Sequence, residues 1–340
     1  MPTINGFRAP QLALPMLLFG QVLAGSSAVP PAIPVMADQS ISSVAACAEL
    51  DETVVNEVNN DRARNVLGRL APQLAGRTSF ERICGGTILT DIAALLAARG
   101  RLAEAETLAR HGVETIRREA LTNASLLLVP LSILATVQIE ERKITAARAV
   151  VMEMQALPAD SPIHHALVHQ LSGRLLAVEK RTAEAVSEYM AAFEAWKQSG
   201  SDRKMAACDV LHEMSILSLQ DGRLDDALSL VNQALEIISS LPAALVADRA
   251  KLLNLRGIVH IRQHDTSGAE VDFLEAISIT EHDAQSDPSI LAALLANYAH
   301  LLRKTHRKRE ARAMEQRVKA MPSRAARDLL IDVSTLRRKR

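Results

Sequence analysis

Residues 209–238 read DVLHEMSILSLQDGRLDDALSLVNQALEII, and this stretch decides the fold of the chain. Apolar residues recur at three- and four-residue spacing on both sides of Asp221-Gly222, namely at Val210, Leu211, Met214, Leu217, Leu224, Leu228, Val231 and Leu235. This spacing predicts two amphipathic helices joined by a tight turn. The small residues Ser215, Ala227 and Ala234 stand where the two helices must touch.

The same pattern returns along the chain with a nearly constant step. The residues equivalent to the turn residue Gly222 follow one another at steps of 42, 38, 42, 42 and 42, and they are Gly100, Arg142, Lys180, Gly222, His264 and His306. An Ala stands five residues after each of them, and a small residue stands seven residues before each. Small side chains in a fixed register let helices approach closely while the bulky neighbours fill the grooves. The pattern therefore predicts six stacked helix pairs.

These small positions resemble tetratricopeptide repeats, whose helix–turn–helix unit has small residues at its positions 8, 20 and 27. The matching residues here are Gly173 and Gly257, Ala185 and Ala269, and Ala192 and Ala276. The 42-residue step is similar to the long-helix variety found in kinesin light chains and many bacterial proteins, and residues 294–321 resemble the closing repeat of exported bacterial members. The resemblance implies an all-α fold, a right-handed superhelical solenoid of antiparallel helix pairs.

The expected organisation of the chain has five parts. We expect a signal peptide at 1–28, a linker at 29–40, a degenerate N-terminal helix pair at 41–86, six repeats at 87–321, and a capping helix with a basic tail at 322–340. Residues 12–24 are mostly apolar and small residues follow them, which is typical of a secretory signal. The run is shorter than the about 20 residues of a membrane span. These features predict export to the periplasm or the exterior, with an uncleaved anchor or a disordered tail as the alternatives.

The sequence contains no catalytic motif that we recognise. A G-x-S-x-G elbow and a P-loop are both absent, so we expect no enzyme activity, no catalytic residue and no cofactor. Two pairs of histidines, His165 with His169 and His260 with His264, have the four-residue spacing that can begin a zinc site. They keep a metal-assisted hydrolase open as an alternative function, although a metal site is not the favoured interpretation.

The resemblance implies that the first helix of each repeat lines a concave groove. The implied groove residues are Arg174, His212, Glu213, Lys251, Asn254, Arg262, Asn297, His300, Arg303 and Lys304. An Asn side chain both donates and accepts, so it can pair with an extended peptide backbone, and cations can hold a carboxylate. The first two repeats contribute apolar groups instead, at Ala94, Ala97, Ile133 and Ile139. The leading hypothesis is therefore a scaffold that binds a protein or peptide segment.

Charge and cysteines complete the expectations. The chain is neutral overall, yet residues 303–340 contain 14 Lys and Arg against 4 Asp and Glu, which suggests an envelope-surface protein docking on membrane by its basic C-terminus. Export and the scarcity of aromatic residues there argue against nucleic acid.

In the repeat register Cys47 and Cys84 fall near the same edge of neighbouring first helices, with Cys84 just before its helix, and export permits a disulfide between them. Cys208 is expected to stay free.

Overall fold

The computed structural model describes residues 78–98, 100–119, 124–158, 161–200, 203–241, 246–283 and 288–321. Within these ranges no residue is in a β-strand, and the predicted all-α class is confirmed. The twelve α-helices of the described residues are α1 (Ser79–Ala98), α2 (Leu102–Glu119), α3 (Leu128–Glu140), α4 (Ile144–Ala156), α5 (Pro162–Val178), α6 (Thr182–Gln198), α7 (Lys204–Gln220), α8 (Leu224–Ser239), α9 (Val246–Arg262), α10 (Thr266–Glu281), α11 (Pro288–Lys304) and α12 (Lys308–Ala320). A 3₁₀ turn at Ala124–Leu127 precedes α3.

The chain divides into two compact units between Glu179 and Lys180, so that α1–α5 belong to the first and α6–α12 to the second. Within each unit, helices that follow each other across a short turn pack as antiparallel pairs. In the pair α7–α8, Ser215 donates from Oγ to the carbonyl of Ala227 at 2.8 Å, and Cys208 donates from Sγ to the carbonyl of Ala234 at 3.3 Å. An earlier residue on α7 thus contacts a later residue on α8, which shows that the two helices are antiparallel.

The six predicted turn residues all adopt a left-handed backbone. Gly100 and Gly222 have φ of 73° and 79°, and the four non-glycine residues Arg142, Lys180, His264 and His306 have φ between 63° and 67°. At the α7–α8 turn, the N–H of Gly222 donates to the carbonyl of Leu219 at 3.2 Å and the N–H of Arg223 to that of Ser218 at 2.9 Å. These two hydrogen bonds together form a Schellman motif, a common way for a helix to end. The register deduced from sequence is thus the register of the structure.

The second helix of a pair starts with a recurrent ion pair. The residue directly after the turn is a cation that contacts an acid three positions later, in Arg101–Glu104, Arg181–Glu184, Arg223–Asp226 and Arg307–Glu310. Residues three apart are neighbours on a helix surface, and an acid in the first turn also complements the helix dipole. These local contacts stabilise the sharp change of direction between the two helices.

The predicted small positions are where helices touch. The Ala five residues after each turn residue is 0% exposed in all six pairs, at Ala105, Ala147, Ala185, Ala227, Ala269 and Ala311. A Cβ on Gly257 would lie 2.9 Å from Cε1 of Phe273, and a Cβ on Gly112 would lie 2.5 Å from the carbonyl oxygen of Gly86. Larger residues would force these helices apart.

Ion pairs also join successive pairs at fixed register positions. Glu106 on α2 contacts Lys143 at 2.5 Å, and Glu270 on α10 contacts Arg307 at 2.5 Å, in the same two positions of their repeats. The pair Arg117–Glu153 between α2 and α4 recurs between α10 and α12 with the charges exchanged, as Glu281–Arg317.

None of the described helices combines the length and apolar composition that a membrane span needs.

The structure corrects the start of the first repeat. Helix α1 begins at Ser79, before the predicted boundary at Thr87, so Cys84 lies inside the helix and not ahead of it. The cause is a capping box: the N–H of Glu81 donates to Oγ1 of Thr78 at 3.2 Å, and the N–H of Thr78 donates to Oε2 of Glu81 at 3.1 Å. The capping box is visible in the sequence as Thr78-x-x-Glu81. The boundary at Thr87 was predicted from the spacing of small residues, which does not take this motif into account.

Several predicted features lie outside the described residues. These are the signal peptide at 1–28, the linker at 29–40, the greater part of the degenerate pair at 41–86, the C-terminal segment at 322–340, and Cys47. Cys84 is disulfide-bonded, whereas Cys208 is a free, buried thiol. Because Cys47 is not among the described residues, the Cys47–Cys84 bridge stays a prediction.

Candidate functional site

The first helices α9 and α11 of the second unit are held side by side by polar contacts. Nδ2 of Asn297 on α11 donates to Oδ1 of Asn254 on α9 at 3.0 Å. Nζ of Lys304 on α11 donates to the carbonyl of Ile261 on α9 at 3.3 Å. The predicted groove residues of the second unit lie on its first helices α7, α9 and α11.

The ten predicted groove residues differ greatly in exposure. Arg174, Glu213, Asn254 and Asn297 are buried, His212, Lys251, Arg262 and His300 are half-buried, and Arg303 and Lys304 are exposed. A fully buried side chain cannot touch a ligand in this conformation. The assignment of the four buried residues as peptide contacts is therefore corrected, and the structure gives Arg174, Asn254 and Asn297 a different role.

The buried polar residues connect helices within the protein. Asn254 and Asn297 are 1% and 3% exposed and bond to each other. Arg174, in the first unit, is 0% exposed, donates from Nη1 to Oγ1 of Thr136 at 3.4 Å and lies 3.7 Å from Oε1 of Glu140. Buried polar groups need such partners because water is excluded. Sequence spacing correctly placed these residues on first helices, but it did not show how tightly the neighbouring helix covers them.

Apart from Arg303 and His212, the predicted groove residues include four basic side chains that are at least partly exposed, and we call them the cationic face: Lys251, Arg262, His300 and Lys304. Arg262 and Lys304 occupy the same position of adjacent repeats, two residues before the turn. Nζ of Lys251 lies 3.1 Å from Oδ1 of Asp248, and both side chains are 14% exposed. Arg262 and Lys304 therefore place positive charge at the C-terminal ends of α9 and α11, whereas Lys251 lies near the start of α9.

Arg303 is exposed but already engaged. Its Nε and Nη2 donate to Oε1 and Oε2 of Glu315 at 2.6 and 2.8 Å, which ties α11 to α12 within the last helix pair. The same contact lowers the pKa of Glu315 below its ordinary value. A bidentate pair of this kind leaves Arg303 less available than Lys304, its neighbour in sequence.

His212 contributes hydrogen-bonding capacity and no charge at neutral pH. Burial and, after it, the positive charge of Lys251 lower the pKa of His212 to about 4. Desolvation disfavours the imidazolium, and a nearby cation adds to that cost. His212 is thus a neutral imidazole beside Lys251, able to donate from one ring nitrogen and to accept at the other.

The histidine pairs considered for a metal have other surroundings. Nδ1 of His260 lies 3.1 Å from Oδ2 of Asp265 and its Nε2 lies 3.7 Å from Oδ2 of Asp272. Asp272 is itself held by Arg256 at 2.6 Å, and His264 is a turn residue with φ of 67°. Among the residues that the structure describes, no group of three or more His, Cys, Asp or Glu side chains is arranged to hold a metal ion.

The corresponding residues of the first unit are apolar and covered. Ala94, Ala97, Ile133 and Ile139 are 9%, 4%, 5% and 2% exposed. They belong to the hydrophobic interior of that unit. Among the predicted groove positions, the accessible cations therefore lie in the second unit.

The comparisons with known proteins agree with this architecture. Residues 86–121 match the tetratricopeptide repeat family model. Among 26 matching chains of solved structures is the crystal structure of BtubC (BKLC) from P. vanneervenii. The two share 22% sequence identity with a TM-score of 0.55, over 68% of this chain and 98% of BtubC, a level of similarity that shows the fold. No curated protein matches the chain significantly.

The fold and the family match define a helical-repeat protein. The described helices form antiparallel pairs, and residues 86–121 match the tetratricopeptide repeat model. Tetratricopeptide repeats generally mediate protein–protein interaction, and this general property is the starting point of the function proposed below.

Proposed function

We propose that this protein is a non-enzymatic scaffold that binds a protein or peptide segment on the cationic face of its second unit. The observation that carries the proposal is the set of accessible bases Lys251, Arg262, His300 and Lys304 on first helices whose buried polar residues are already paired. The helices are held in place from within, and these four side chains lie where a ligand can reach them.

The chemistry of the cationic face selects an acidic ligand segment. Lys304 and Arg262 are cationic side chains, and a partner carboxylate forms stronger, charge-assisted hydrogen bonds with them than a neutral group does. His212 beside Lys251 offers a neutral donor and acceptor that suits a peptide amide. We therefore expect a segment with Asp, Glu or a free C-terminal carboxylate.

A location outside the cytoplasm belongs to the same proposal. It is supported by the apolar run at 12–24 and the small residues that follow it. Fractionation of cells, followed by N-terminal sequencing of the isolated protein, tests it. We expect a mature N-terminus shortly after Ala24 or Ala28, and a cytoplasmic protein that still begins at the initiating residue contradicts export.

The binding experiment compares two matched triple variants. We expect the test variant, Lys251→Ala/Arg262→Ala/Lys304→Ala, to lose at least 10-fold in capture of the partner, because removing three charge-assisted bonds weakens binding by well over one factor of ten. The control, Arg118→Ala/Arg142→Ala/Lys204→Ala, removes as many exposed cations elsewhere. Both variants should melt like the parent.

A photo-crosslinking residue in place of Arg262 identifies the partner, and the same residue in place of Arg118 controls for random contact. Crosslinked partners shared equally by both positions, or equal capture by the two triple variants, would show that the cationic face is the wrong surface.

A further inference from the structure

The second helices α8, α10 and α12 form a layer of their own in the second unit. Arg256 joins α8 to α10 by donating from Nη1 to Oδ1 of Asn232 at 3.1 Å and from Nη2 to Oδ1 of Asp272 at 2.6 Å. Arg317 on α12 forms an ion pair with Glu281 on α10. The order across the layer is therefore α8, α10, α12, with α10 in the centre.

One set of register positions is exposed to solvent on all three helices. These positions come 3, 7, 10 and 14 residues after the turn residue, a spacing that follows one face of a helix. The set comprises Asp225, Ser229, Asn232 and Glu236 on α8, Ser267, Val271, Leu274 and Ser278 on α10, and Arg309, Ala313, Gln316 and Ala320 on α12, and every member is exposed. We call these twelve residues the outer face.

The outer face changes character from one helix to the next. Helix α8 contains acids and no Lys or Arg. Helix α10 exposes Val271 at 63% and Leu274 at 47%. Helix α12 is rich in Lys and Arg, and its two acids are engaged, Glu310 by Arg307 and Glu315 by Arg303. The layer therefore runs from acidic through apolar to basic.

An arrangement of this kind is complementary to itself. A two-fold axis along the outer side of α10 places α10 against α10 of a second copy, and it places α8 of each copy against α12 of the other. In such an isologous contact the same patch serves on both subunits. We infer that the outer face of α8, α10 and α12 binds a second copy of this chain in a parallel, two-fold symmetric dimer.

The positions along the helices also match. With the helices of the two copies parallel, Asp225 and Arg309 meet because each stands three residues after its turn residue. Glu236, fourteen residues after the turn, meets Lys319, thirteen residues after it. Val271 and Leu274 meet their own counterparts on the axis. An acid near each end of α8 thus lies opposite a cation of the other copy, and the apolar side chains of the two copies bury each other's surface.

The size of the outer face suits a reversible dimer. Helices α8 and α10 have 16 residues each, so at about 1.5 Å per residue and about 10 Å between axes three helices cover about 700 Å². A standard interface buries about 800 Å² on each partner. The apolar centre is narrow and the charges are exposed, so salt should weaken the association.

This inference is independent of the proposed peptide scaffold. The outer face lies on second helices, and the cationic face lies on first helices. A dimer through the outer face leaves Lys251, Arg262 and Lys304 accessible for a ligand. Loss of either property therefore does not entail loss of the other.

Charge exchange tests the symmetry directly, with sedimentation equilibrium of the full chain as the readout. The first variant, Asp225→Lys/Glu236→Lys, sets bases against bases, and the second, Arg309→Glu/Lys319→Glu, sets acids against acids. Each alone should raise the dimer dissociation constant at least 10-fold. An equal mixture of the two should form a heterodimer with near parental affinity, because both contacts are then between opposite charges.

A further variant, Leu274→Lys, places a lysine against its own copy on the axis and should give a monomer. The matched control, Met190→Lys, changes a side chain that is 57% exposed at the same register position on α6. It should dimerise like the parent protein, and all variants should retain the parental melting temperature.

Three results would overturn the inference. They are a parental protein that stays monomeric up to hundreds of micromolar at low salt, a mixture of charge variants that does not associate, and growth beyond a dimer. Retention of the monomeric protein by anionic phosphatidylglycerol vesicles, lost in Arg309→Glu/Lys319→Glu, would instead assign the basic helix to a membrane surface.

Discussion

Asn297 donates a hydrogen bond to Asn254 across the α9–α11 contact, with 3.0 Å between Nδ2 and Oδ1 and both side chains buried. We expect Asn254→Ala to lower the free energy of unfolding by about 1–3 kcal/mol, because it leaves a buried amide without this partner. The double variant Asn254→Ala/Asn297→Ala should lose less than the sum of the two single losses. A double-mutant cycle by urea denaturation measures the coupling, and strict additivity would argue against the bond.

The turn residues make a matched pair of opposite predictions. Gly222 has φ of 79° and open space around the position of a Cβ, so Gly222→Ala should destabilise by about 1 kcal/mol through backbone conformation alone. His306, with φ of 65°, should gain stability by up to about 1 kcal/mol on replacement by Gly. Thermal melts of the two variants and the parent check both signs. Equal melting temperatures in all three would contradict the strain argument.

Ala227 lies in the contact between α7 and α8, since it is 0% exposed and its carbonyl accepts from Ser215 at 2.8 Å. We expect Ala227→Glu to destabilise the second unit by more than about 3 kcal/mol, because the site has neither room nor a partner for a carboxylate. Ala183→Glu, at an exposed position of α6, is the control. Circular dichroism melts distinguish the two, and a parental melting temperature for Ala227→Glu would refute the register.

A pH dependence follows from Glu119, which accepts from Nε of Arg82 at 2.7 Å and from Nη2 at 2.9 Å. Mainly this contact lowers the pKa of Glu119 from 4.5 to about 2. A lowered pKa contributes stability that is present above pH 4.5 and is lost as the pH falls towards 2. The parent should therefore exceed Arg82→Ala in stability at pH 7, with a difference that shrinks between pH 4.5 and 2.

The control for this prediction is Arg118→Ala, an exposed cation near the end of the same helix as Glu119. It should differ from the parent by a nearly constant amount over the same range of pH. Urea midpoints at pH 7, 4.5, 3 and 2 measure both differences. A constant difference for Arg82→Ala would show that Glu119 does not depend on Arg82.

The cysteines give a chemical prediction. Cys84 is disulfide-bonded and Cys208 is a free, buried thiol. If Cys47 is the partner, the bridge spans 37 positions and contributes about 4 kcal/mol in the chain-entropy model. Cys47→Ser and Cys84→Ser should then cost equal stability, and the double variant should cost no more. Thiol titration of the denatured, oxidised parent should find one group per chain, and three groups would exclude the bridge.

The sequence by itself determined the class of fold and the register of the repeats. Gly100, Gly222 and their four non-glycine equivalents were identified from spacing alone, and all six have a left-handed backbone. This succeeds because helix periodicity, turn conformation and small contact residues are local properties that recur at a fixed step. The capping box at Thr78 and Glu81 is equally local, but the small-residue register did not use it, and the predicted boundary at Thr87 was therefore too late.

Only the tertiary structure decided which polar side chains of the first helices reach the solvent. Asn254 and Lys251 stand one turn apart on α9, yet the first is 1% exposed and bonded to α11 whereas the second lies at an accessible edge beside Asp248. Arg303 and Lys304 are adjacent in sequence, yet only Arg303 is held by Glu315. Burial and pairing depend on how closely a helix about 42 residues away in the chain approaches, and one repeat does not encode that distance.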